Sequence, residues 1–122
     1  MADMYGDFAI TGVTVTQKMI DENPELIQKF VNALQKAESF AHNNPEKVIE
    51  LANTIFPNLD DSIVKNALNR IISSNTFPDN VLITEESWLK AISVREKVGD
   101  ITDIEKAKTV LDMSFAKTAM KK

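Results

Sequence analysis

Two identical helix-start signals, Asn23-Pro24-Glu25 and Asn44-Pro45-Glu46, lie 21 residues apart and set the architecture of this chain. In each, Asn is suited to accept hydrogen bonds from first-turn amides. Pro sits where no amide hydrogen is needed, and Glu complements the helix dipole. After the first signal, Leu26, Ile27, Phe30, Val31, Leu34, Ala37 and Ala41 recur at three- and four-residue steps, so they share one face of a long helix. After the second, Val48, Ile49, Ala52, Ile55 and Phe56 do the same, and Pro57 stops the run. A duplicated repeat would give this spacing, but reuse of good capping chemistry explains it more simply.

The remaining helices follow from similar signals. Residues 17–22 suit one or two turns. Asp60 and Asp61 cap a helix with Ile63, Val64, Ala67, Leu68, Ile71 and Ile72 expected inward, ended by Ser73-Ser74-Asn75. Phe77-Pro78-Asp79-Asn80 is a turn signal, and Val81-Leu82-Ile83 reads as a very short strand or an extended linker. Thr84 caps a helix over residues 85–98 with Trp88, Leu89, Ile92 and Val98 apolar, and Gly99 ends it. Residues 102–105 read as a capping box. A last helical stretch carries Ile104, Ala107, Val110 and Leu111, breaks near Asp112, and resumes with Phe115 and Met120.

Ahead of all these helices stands one stretch of a different kind. Residues 8–16, FAITGVTVT, alternate β-branched residues with Thr and are expected to form a strand, with Gly12 marking a bulge or a close approach. The expected fold is therefore mainly α, one N-terminal β-strand followed by about five helices. A lone strand cannot satisfy its own edges, so the rest of its sheet is expected elsewhere in the gene.

The chain of 122 residues fits one segment, 1–122. With 43% hydrophobic and 26% charged residues it is ordinary globular material. A net charge of −4 argues against nucleic acid, which needs clustered Lys and Arg. Lys117, Lys121 and Lys122 form the one basic cluster and read as a frayed terminus. There is no cysteine, hence no disulfide framework and no thiol nucleophile. His42, the only histidine, sits at a helix end where a cation is favoured and reads as a surface residue. Asp60-Asp61 and Glu85-Glu86 are adjacent in helix starts, so their carboxylates diverge and make no natural two-carboxylate site. The glycines at 6, 12 and 99 make no phosphate loop. Trp88 reads as core, and Arg70 and Arg95 as solvent-facing. No catalytic residue, metal site or cofactor is expected.

One resemblance points to a function. AITGVTVTQ, KMIDENPEL and IQKFVNALQKAESFAHNNPEKVIELA resemble the C-terminal part of the solute-binding proteins of ABC importers, in the sulfonate/nitrate/taurine and thiamine-precursor family. ITEESWLKAISVREKVG and VLDMSFAKTAM are similar to that family's penultimate helix and ending. The resemblance implies a type II periplasmic binding protein, two α/β lobes closing over a solute. This chain would begin near the second hinge crossing and complete the first lobe. The strand at 8–16 would then join a sheet encoded upstream. The implied partners are the upstream remainder of the same protein, a membrane permease and a small anionic or heterocyclic solute. The implied location is periplasmic, or extracytoplasmic and membrane-anchored, although no signal is visible in this segment. The candidate ligand residues are Tyr5 and Asp7, because the crossing runs near the cleft, and Arg70. Two alternatives stand beside this reading: a self-contained helical interaction module, and a fragment of a thiamine-pyrimidine-precursor synthase of the same broad family. Uncovered strand edges and helix faces also lead us to expect the isolated chain to self-associate.

Overall fold

The structure, a computed structural model, describes residues 8–74 and 76–121. Its helices are α1 Gln17–Glu22, α2 Pro24–Asn43, α3 Pro45–Ile55, α4 Asp61–Ser73, α5 Glu85–Lys97, α6 Ile104–Thr109 and α7 Ser114–Ala119. The chain divides into two compact units. One comprises the described residues up to Val31 together with those from Leu82 onward; the other is Asn32–Val81.

The mainly helical expectation holds, but the N-terminal strand does not form: no strand is present among the described residues. A strand exists only through its ladder. Here Ala9 N–H donates to the Ser87 carbonyl at 3.3 Å, and among the described residues no hydrogen bond involves the backbone of residues 10–15. The stretch has strand-forming residues without a strand to pair with. Gly12 does mark a close approach, although by a side chain and not a backbone: a Cβ there would sit 3.2 Å from Cδ1 of Ile83. Val81-Leu82-Ile83 is the extended linker of the two forms expected. Its Val81 amide donates to Gln35 Oε1 at 3.2 Å and its Ile83 amide to Met113 Sδ at 3.3 Å.

Capping chemistry explains the helix starts. Thr16 Oγ1 accepts from Met19 N–H ahead of α1. Asn23 then serves two helices at once, donating its N–H to the Met19 carbonyl while its own carbonyl accepts from Leu26 and Ile27. The second signal works differently from expectation. The Asn44 side chain makes no cap bond to α3; its Nδ2 donates back to the Phe40 carbonyl at 2.9 Å, as Asn43 Nδ2 does to Ser39 at 2.7 Å. The last four carbonyls of α2 lack helical donors, and for Phe40 the Asn44 amide supplies one. Asp60 Oδ1 caps α4 and Thr84 Oγ1 caps α5. Hydrogen bonding from Ser62 holds the Asp60 carboxyl below its usual range. Gly99, at φ +83°, ends the run after α5. The cap of α6 is Asp103, which accepts from Lys106 N–H at 2.9 Å, so the expected box at Thr102 is displaced by one residue. A carboxylate is the stronger acceptor for that amide.

Each unit has a thin core. In the first, Ile27, Ala91, Ile92, Ala116 and Ala119 are buried, and α5 packs on α6. In the second, α3 packs on α4 and buries Ile49 and Val64. Several residues expected inward remain uncovered. Leu26 is 55% exposed, Phe30 50% and Ile63 57%, and no large described side chain falls below 2%. They lie on the expected apolar stripes. Those stripes are wider than the surfaces packed against them, so a face of each is left for another layer.

Candidate functional site

Of the three candidate ligand residues, Tyr5 and Asp7 lie outside the described residues. Arg70 stands on the last turn of α4, exposed, and its guanidinium enters no ion pair or hydrogen bond among the described residues. Its backbone carbonyl accepts from Ser74 N–H and Ser73 Oγ.

The first unit carries a groove of about 440 Å³ that the sequence did not reveal. Its apolar wall is Leu82, Trp88, Leu89, Leu111 and Met113. Its charged rim is Glu85, Lys108 and Lys117. The geometry is set from α5. The Thr84 cap starts the helix, and Trp88 comes one turn later, half-buried, with Nε1–H donating to the Ala107 carbonyl at 3.1 Å. Trp88 is therefore a wall of the groove as well as part of the packing. Met113 is fixed by the Ile83 amide on its sulfur. On the rim, Lys108 Nζ pairs with Glu105 Oε1 at 2.6 Å. The Asp112 carboxyl is held below its usual range by the Ser114 amide and hydroxyl, and also by the charge of Lys117. Lys117 belongs to α7, an ordered helix, and not to a frayed end. The result is an aromatic and aliphatic groove whose rim is of mixed charge, Glu85 beside Lys108 and Lys117, with Lys108 already paired to Glu105. No signal in the sequence brings residues 82–89 to 108–117, because their meeting depends on α5–α6 packing.

The second unit contains a polar brace around His42. Nε2 donates to the Pro78 carbonyl at 2.8 Å, lies 3.7 Å from Asp79 Oδ1, and the ring stands 5.1 Å from that of Phe77. The histidine is half-buried and ties the end of α2 to the 77–79 turn, so it is more than the surface residue expected. Two turns earlier, Gln35 Nε2 donates to Ser39 Oγ. Two acceptors of this unit, Glu38 Oε2 and Asn53 Oδ1, are buried without a hydrogen-bond partner among the described residues. Burial pushes the Glu38 carboxyl up from its ordinary range, and the charge of His42 partly offsets this.

The sign of that shift gives a test. The folded-state pKa of Glu38 lies above the unfolded value near 4.5. The cost of ionising it is absent below the unfolded value and grows as pH rises through the folded one. Glu38→Gln removes the charge, and will therefore be more stabilising at neutral pH than near pH 4, by no more than about 1 kcal/mol because the carboxyl is only partly buried. The gain will fade towards pH 4. Thermal melts at the two pH values check this, and an equal gain at both contradicts it.

Among the described residues, no group of three or more His, Cys, Asp or Glu is placed to hold a metal ion, and no helix is long and apolar enough to cross a membrane. In comparison with known proteins, residues 1–48 match the family model described as "NMT1/THI5 like". A curated relative in Bacillus subtilis (strain 168), named "Putative binding protein YtlA", is 20% identical over 97 residues. That alignment takes in 79% of this chain but only 29% of the relative. No solved structure matches. The resemblance to an NMT1/THI5-like solute-binding family, read above from AITGVTVTQ and the NPEL helix start, is thus supported from two directions.

Proposed function

We propose that this chain is the C-terminal portion of the solute-binding component of an ABC importer, a binding module and not an enzyme. The observation that carries the proposal is the NMT1/THI5-like match over residues 1–48, which takes in the extended segment, α1, the whole of α2 and the start of α3. Three features support it. The relative's name describes a binding protein. The strand-forming segment is held at Ala9, and residues 10–15 make no backbone hydrogen bond among the described residues. Apolar residues on α2, Leu26 and Phe30, are ready to be covered by a further layer.

In this reading the upstream remainder of the same protein supplies the other strands and most of the solute contacts. Tyr5, Asp7 and Arg70 are the candidates from this chain. The solute is a small anion or heterocycle of the sulfonate, nitrate, taurine or thiamine-precursor kind. The partner of the closed form is a membrane permease, and the working compartment is extracytoplasmic. The gene itself tests the arrangement. An open reading frame running upstream of Met1 into a secretion or lipoprotein signal agrees with the proposal. A translation start at Met1 itself overturns it.

A further inference from the structure

We draw no further inference here: the strongest candidate, the groove of the first unit between Trp88 and Lys117, has apolar walls and a rim of mixed charge that select no one ligand, and nothing in the structure shows what covers it.

Discussion

Ile92→Ala will lower the free energy of unfolding by roughly 3 kcal/mol, within the usual cost of truncating a buried Ile. Ile92 is the most buried large side chain of the first unit, at 3% exposure, on a helix whose other buried residues, Ser87 and Ala91, are small. Apart from Ile27, the unit's other buried side chains are Ser87, Ala91, Ala116 and Ala119, all too short to fill the space it would vacate. The loss is large against a total stability of about 5–15 kcal/mol for an ordinary domain. A chain that leaves Leu26, Phe30 and Val98 half or more exposed starts near the low end. Urea titration followed by circular dichroism checks this, and a change under about 1 kcal/mol would show that the site relaxes and that the core is looser than described.

Trp88→Ala will cost nearly as much, about 2–3 kcal/mol, less than a fully buried Trp because the indole is half-exposed in the groove. Two contributions add. One is the lost apolar area of the indole in the groove wall it shares with Leu89 and Leu111. The other is the Ala107 carbonyl, which loses the indole N–H at 3.1 Å. Trp88→Phe separates them: it keeps an aromatic face, removes the donor and should cost about 1 kcal/mol. Equal losses for Ala and Phe would assign the whole effect to the hydrogen bond and contradict the packing argument. Trp88 is the sole tryptophan, so the Phe and Ala variants are both followed by circular dichroism instead of fluorescence.

The helices were legible because their causes are local. Asp60, Thr84 and Gly99 act within a few residues of themselves, and the 3.6-residue periodicity needs no partner to be recognised. Where local logic offers two solutions, the reading slipped. Asn44 can cap forward or satisfy the end of α2 behind it, and it does the second. Thr102 and Asp103 both suit a cap, and the carboxylate takes the amide. The strand at 8–16 could not be settled locally at all. Its residues favour a strand, but the ladder belongs to whatever lies beside it. The candidate site was less legible still. His42 meets the Pro78 carbonyl across 36 positions, and the groove joins Trp88 to Lys117 across the turn of α5 into α6. Lys117 was read as part of a tail because its helix is only six residues long.

The account's central claim is that this chain finishes a solute-binding protein begun upstream. The most direct measurement is a calorimetric titration with taurine and other sulfonates, nitrate and thiamine pyrimidine precursors. It compares the 122-residue chain with the protein made from the full reading frame. The account predicts no measurable heat of binding for the chain alone, since part of a cleft cannot enclose a solute. It predicts saturable binding of one of these solutes by the full protein, with a Kd on the order of 1 μM. Tight binding by the chain alone, or a full protein indifferent to every solute of these classes, would contradict it.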